Sequence, residues 1–354
     1  MEPACVFTIN RSTGSQLELA NPPGLMATRH SGLSFDDGNL AVLAGDSFFL
    51  VHQGLIARHS APIDSAIKQL YLHGPPAHFL EGRPVLHLDD PPNDMLLFLL
   101  AIYDGVSSVS YDKHGFADAA AVLRLATKYE VKHLRADILR GLSFYWPTDL
   151  DQWDLRESEA EIDIGVYVAK DRYPNPIMVV TLARAVNAPE LLPSAFYDLS
   201  RAPPSTIAAG YSRPGSSEVH RLSPVDLMNL FKGREHASRF LSTFIVNELE
   251  GRKPPAACAC ARTGHRACQV TFEAITFGVL HQINGAGSIR GSDPLHAILD
   301  LESQSNRDFI AGEEVYKACE SCREEFSGLV ESAREDFWHK LPQWFGVESE
   351  LPSW

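Results

Sequence analysis

The stretch that most constrains this chain runs over residues 39–60, NLAVLAGDSFFLVHQGLIARHS. Two short apolar runs, residues 40–44 and 48–51, flank Gly45-Asp46, a dipeptide suited to a tight hairpin turn. His52 follows at a strand-to-helix junction, and Leu55-Ile56 reads as the start of a helix. Ser60 has the side chain to cap the next helix, and Pro62 fits its first turn; that helix is expected to reach about Leu72. Strand, turn, strand, His, helix and Ser therefore follow one another in one continuous segment.

Strand and helix signals alternate on either side of it, over residues 31–145. Residues 33–35 are strand-like, residues 73–84 are rich in Gly and Pro and predict a loop, and residues 85–88 predict a short strand. Asp94 opens an unbroken apolar run over residues 95–103, too apolar for a one-faced surface helix, ending near Gly105. Ala120, Leu123, Ala126 and Tyr129 share one helical face, and Val131, Leu134, Ile138 and Leu142 share the next. Pro147 stops that helix. From residue 150 strand signals nearly vanish. Helices are predicted near 176–187, 189–199, 203–209, 224–249, 269–283 and 313–341. The reading is an α+β chain in three parts: a poorly ordered lead-in over 1–30, a mixed domain over 31–145, and a helical extension over 150–354.

Charge narrows the function classes. The net charge of −14 is spread along the chain with no basic stripe, which disfavours direct nucleic-acid binding. No apolar run reaches the roughly 18 residues of a membrane span, and the start, MEPACVFTIN, does not read as a secretory signal. The expectation is an intracellular protein of cytoplasm or nucleus. In such a compartment six cysteines point to thiols or metal ligands rather than disulfides. No G-x-S-x-G, P-loop or H-E-x-x-H pattern is present.

Three segments together resemble a BTB/POZ domain. They are Asn39-Leu40 with Phe49-Leu50-Val51-His52, Leu55-Ile56 and Ser60; residues 85–88 with Phe98 and Ile102-Tyr103-Asp104-Gly105; and Leu123-Arg124-Leu125-Ala126 with Tyr129-Glu130-Val131 and Leu134. The likeness covers residues 31–145. The remainder is similar to the helical extension of BTB proteins common in mushroom-forming (basidiomycete) fungi, through Ala183-Arg184-Ala185, Cys319-Glu320-Ser321-Cys322 and the ending around Phe337-Trp338 and Phe345-Gly346. The resemblance implies a small sheet with helical hairpins and a non-enzymatic protein-protein interaction module that self-associates as a homodimer. Leu33, Phe35 and Leu40 are the expected dimer contacts. It also implies a second function, substrate adaptor of a cullin ubiquitin ligase, for which Phe79 and Glu81 form a hydrophobic-x-Glu contact. An enzyme with an unrecognised site is the third reading. Two positions depart from the family: Asn39 stands where many members have Asp, and Ile63 where many have Phe. An amide cannot supply the charge of the family's pocket.

The thiols carry the sharpest chemical question. Cys319 and Cys322 are spaced i, i+3 on an expected helix, and Cys258, Cys260 and Cys268 lie on an irregular connection with His265. Cys260, Cys268, Cys319 and Cys322 are the expected Cys₄ shell for a structural zinc, with Cys258 and His265 as alternates. Buried free thiols on an apolar stripe, Val315, Cys319, Cys322, Phe326, Leu329, Ala333 and Phe337, are the rival reading, and redox chemistry the third. His52 is expected as a buried histidine bonded to backbone. Asp89-Asp90 and the acidic run 157–163 are expected as solvated charge.

Overall fold

The computed structural model describes residues 6–8, 18–20, 27–107, 109–162, 166–213, 217–258, 266–284, 292–311, 314–351 and 354. Cys5, Cys260 and His265 lie outside them. The chain is α+β and divides into two units, Met1–Leu142 and Ser143–Trp354. Within the expected lead-in, β1 (Val6–Thr8) and β2 (Glu18–Ala20) pair antiparallel.

The first unit is built on the predicted hairpin. Strands β4 (Leu40–Ala44) and β5 (Ser47–Val51) pair antiparallel from Leu40↔Val51 to Ala44↔Ser47. Gly45 takes φ +58° at the first central position of the turn, a conformation that favours glycine. Two further pairings widen the sheet. β3 (Thr28–Arg29) lies parallel to β5, and β7 (Arg83–His87) parallel to β4. β6 (Phe79–Leu80) pairs antiparallel with β7, giving the order β3-β5-β4-β7-β6. Ala41, Leu43, Phe48, Leu50 and Val85 form one buried cluster, while Leu40, Val42, Phe49 and Val51 alternate with them and are buried too. A sheet covered on both faces needs helices, and five follow: α1 (Gln53–His59), α2 (Ala61–Leu70), α3 (Pro92–Asp104), α4 (Phe116–Lys128) and α5 (Lys132–Ser143).

Local chemistry fixes these joints. The Ser60 hydroxyl accepts from the Ile63 N–H at 3.2 Å, capping α2, and donates to the Tyr129 carbonyl at 2.7 Å. The Asn39 side-chain oxygen accepts from the Gln53 N–H at 2.7 Å, so this amide satisfies the start of α1. Ile63 is 1% exposed. Helix α3 begins at Pro92, two residues earlier than Asp94 suggests, because proline is tolerated in a first turn. It ends before Gly105, at φ +78°. Met95, Phe98, Leu99 and Ile102 are buried in it. Leu99→Ala is therefore expected to destabilise the unit by about 2–5 kcal/mol, read as a fall in the urea midpoint at constant slope; a change under about 1 kcal/mol would contradict tight packing there.

Two apolar residues named as dimer contacts serve this core instead: Leu33 is 7% exposed and Leu40 fully buried. Phe35 is half-buried, its ring 4.9 Å from His52 and 4.7 Å from Tyr103. Residues 73–84 are not all loop, since Phe79–Leu80 pair with Pro84 and Arg83.

The described part of the second unit is mostly helical, with two short hairpins that the sequence does not signal and an isolated antiparallel bridge between Tyr211 and His220. Its helices are α6 (Leu150–Glu159), α7 (Ala169–Arg172), α8 (Pro176–Val186), α9 (Leu192–Ser200), α10 (Pro204–Ala209), α11 (Pro224–Phe244), α12 (Ala267–Asn284), α13 (Pro294–Ser305), α14 (Glu320–His339) and α15 (Leu341–Trp344). Helix α11 continues into a π-helical turn, Ile245–Leu249. Hairpins β8–β9 (Glu161–Ile162, Val166–Tyr167) and β10–β11 (Phe309–Ala311, Glu314–Tyr316) interrupt the helices. Helix α13 was also missed, although Asp293 caps it and Pro294 fills its first position. The apolar stripe drawn from Val315 fails at its first member. Val315 is on β11 and 63% exposed, and the helix starts only after Cys319.

Candidate metal centre

Three local structures deliver four sulfurs to one place in the second unit. Cys319 is the N-cap of α14, in extended conformation at φ −69° and ψ 162°, and Cys322 sits in the first turn behind it. Cys268 is the second residue of α12. Cys258 follows the π-helical turn, on a bend closed by its own N–H donating to the Pro255 carbonyl at 2.9 Å. The four Sγ atoms all lie within 4.8 Å of one another. Cys258 and Cys268 sulfurs are 3.7 Å apart, as are those of Cys258 and Cys319. The Cys319 N–H points at the Cys268 sulfur at 3.2 Å. Cys258, Cys268 and Cys322 are buried, and Cys319 is half-buried.

The surroundings explain why the sulfurs meet. Cys258, Cys268 and Cys322 belong to an apolar core with Leu241, Phe244, Leu249, Phe272, Ile275 and Phe326. Phe272 and Phe326 meet edge to face at 5.1 Å. The Arg252 guanidinium lies 5.1 Å from the first ring and 5.3 Å from the second, and binds Glu325 at 3.0 Å. Burial, reinforced by hydrogen bonding of the Cys322 thiol to Cys258, Cys319 and Cys268, pushes that thiol well above its ordinary range. A bound metal cation would act against that shift, because it favours the deprotonated sulfur.

Of the expected set, Cys268, Cys319 and Cys322 come together, with Cys258 as the fourth. Cys260 and His265 fall outside the described residues. Cys258, Cys268, Cys319 and Cys322 are together a group that could hold a metal ion.

A second constellation was read wrongly from sequence. Glu157 is not solvated charge. It is 8% exposed and accepts from Arg156 at 2.5 Å, from Arg201 at 2.7 Å and from the Tyr167 hydroxyl at 2.8 Å. Asp198 binds Arg156 at 2.6 Å and also Arg201, and Asp293 binds Arg201 at 2.7 Å and the Tyr197 hydroxyl at 2.6 Å. Trp153 stacks on both guanidiniums, at 4.6 and 5.0 Å. Burial pushes the Asp198 and Asp293 carboxyls up, but the neighbouring arginines and hydrogen bonds pull harder and hold both below the usual carboxylate range. Every carboxylate in the group has a cation, which makes it a strut between α6, α9 and α13.

The remaining expectations resolve as follows. Asp90 is not solvated: it holds Lys128 at 2.7 Å and accepts from the Tyr129 hydroxyl. His52 is only half-buried and bonds to side chains. Its Nδ1 lies 3.0 Å from the Tyr103 hydroxyl and its Nε2 3.3 Å from Asp37. Phe79 is 53% exposed, and Glu81 beside it, at φ +48°, reaches Arg29 at 3.3 Å. A groove of about 580 Å³ beside α11 and α14 includes Phe240, Leu329, Trp344 and Asp336, and Asp336 is tied to Lys340 at 2.6 Å. No described helix is long and apolar enough to cross a membrane. No model of a known protein family matches this chain, and no curated protein matches it.

Proposed function

We propose that this chain is a non-enzymatic protein-interaction module of the BTB/POZ type, carrying a helical extension and acting inside the cell, in cytoplasm or nucleus. The observation that carries the reading is the order of elements in the first unit. A β4–β5 hairpin leads into α1 and α2, β7 returns parallel beside β4, and α3, α4 and α5 follow. A small sheet with helical hairpins is what the resemblance implies for residues 31–145. The thiol cluster fits a non-catalytic role as well. Zinc held by four cysteines has its coordination filled by protein, with no position left for water or substrate.

Self-association is part of the proposal, and its expected surface must be redrawn. With Leu33 and Leu40 buried inside the chain, the exposed large apolar side chains described in the first unit are Tyr71, Leu72 and Phe79. Light scattering on the purified chain is expected to give a species of twice 39.1 kDa, and Leu72→Glu with Phe79→Glu to shift it to the monomer. A discrete 39.1 kDa species at tens of micromolar would reject a stable dimer.

The cullin-adaptor reading stands second. It is favoured by the exposure of Phe79 beside Glu81 on the sheet's edge strand. Co-purification with a cullin, abolished by Phe79→Glu, separates it from simple self-association. Failure of a cullin to bind at micromolar concentration removes it.

A further inference from the structure

We propose that Cys258, Cys268, Cys319 and Cys322 bind one zinc ion as a closed tetrathiolate centre. This stands apart from the module reading, since it concerns how the helical unit is held together.

Geometry is the first support. A tetrahedral shell with Zn–S bonds of about 2.3 Å has sulfur-to-sulfur edges of about 3.8 Å. Two of the six edges are 3.7 Å, and all six fall within 4.8 Å. A disulfide would need about 2.05 Å, so these sulfurs are not bonded to one another. Contact between apolar thiols would also allow edges near 3.7 Å. Burial in the shared apolar core brings four sulfurs from three separate local structures within 4.8 Å of one another, close enough for a single ion to bind them all.

Chemistry is the second support. An all-sulfur donor set in tetrahedral array selects zinc or iron among the common metals and disfavours hard cations such as magnesium and calcium. Cys319 and Cys322 occupy the start of a twenty-residue helix, where the unsatisfied N–H groups favour negative charge. The backbone N–H of Cys319, directed at the Cys268 sulfur at 3.2 Å, is the kind of outer bond that steadies a metal-bound thiolate. Zinc needs no redox partner, and a closed site suits a structural ion.

Local order is the third support. Residues 252–258 run from the π-helical turn towards α12 with no regular structure. Pro254, Pro255, Ala256 and Ala257 offer little apolar surface to bury. A segment of this kind gains order from a metal more readily than from its own packing.

The test is metal content and spectroscopy of the purified full chain, grown with zinc supplied. The expected result is one zinc per chain retained through dialysis, and lost on Cys258→Ser and on Cys322→Ser. Cys260→Ser should keep it. Because a serine variant can fail by not folding, the wild-type chain is also stripped and refilled with cobalt(II). A tetrahedral tetrathiolate site then gives thiolate-to-cobalt charge-transfer bands and intense visible absorption, bleached by added zinc. A folded wild-type chain with neither zinc nor cobalt uptake overturns the proposal and leaves buried thiols. Iron at one per chain overturns the choice of zinc. Loss of zinc on Cys260→Ser with retention on Cys258→Ser overturns the choice of ligands.

Discussion

Replacing Arg201 by methionine is expected to destabilise the helical unit by about 3–5 kcal/mol, the cost of breaking a buried ion pair by removing one partner. Methionine keeps much of the volume, so the loss is electrostatic. Asp293 loses the guanidinium 2.7 Å away, Glu157 loses one of two, and Asp198 keeps only Arg156. For a unit of this size the melting midpoint falls by roughly 6–20 °C. Tryptophan fluorescence reads the unit alone, because all five tryptophans, Trp146, Trp153, Trp338, Trp344 and Trp354, lie in it.

The pH dependence separates charge from packing. Asp198 and Asp293 have lowered folded values, so the wild type holds their contribution above the unfolded carboxylate value of about 3.9 and loses it as pH falls through the folded values. Without Arg201 the desolvated Asp293 carboxyl moves the other way, above its unfolded value, and takes up a proton on folding. The variant's deficit should then be largest near pH 7 and shrink towards pH 4. A deficit constant with pH would assign the effect to packing and refute the electrostatic account.

Chelating the proposed zinc is expected to have an effect of similar size. Free zinc at about 1,000 times its dissociation constant adds about 4.1 kcal/mol to a folded state that alone binds it. Tryptophan fluorescence of the chelated chain should therefore melt at a lower midpoint, restored by adding zinc in slight excess. Acid works in the same direction, since each thiolate that gains a proton ceases to be a ligand. Leu99→Ala, in the first unit, should leave that transition in place. Identical melting curves with zinc and with chelator would mean that metal makes no contribution to the fold.

How far the sequence foretold these features depended on range. The β4–β5 hairpin was legible because its signal is local: a glycine where positive φ is needed, between two apolar runs. Ser60 was legible as a cap for the same reason. Three of the four clustered cysteines could be named because so few stretches carry thiols. The choice of Cys258 could not, since residues 258 and 260 lie on an irregular connection with no period to say which side chain points inward. The start of α14 was misplaced because Val315, Cys319 and Cys322 keep helical spacing across a strand and a cap. Arg156, Asp198, Arg201 and Asp293 escaped altogether, and Glu157 passed for solvated charge. Their partners lie 42, 44 and 92 residues apart, and a charged run viewed alone looks like a solvated surface. The one usable hint was aromatic: Trp153, Tyr167, Tyr173 and Tyr197 are spaced among the charges and wrap the guanidiniums.

The five-stranded sheet has a property that bears on how copies of this protein can meet. Its outermost strands, β3 and β6, are each two residues long. A strand that short offers an incoming chain too few backbone donors and acceptors to serve as a template. Short edges of this kind disfavour stacking copies edge to edge into an open-ended ribbon, and Pro84, in the strand paired with β6, has no backbone donor. Any association of copies at this sheet would have to rest on side chains rather than on a shared ladder of backbone hydrogen bonds.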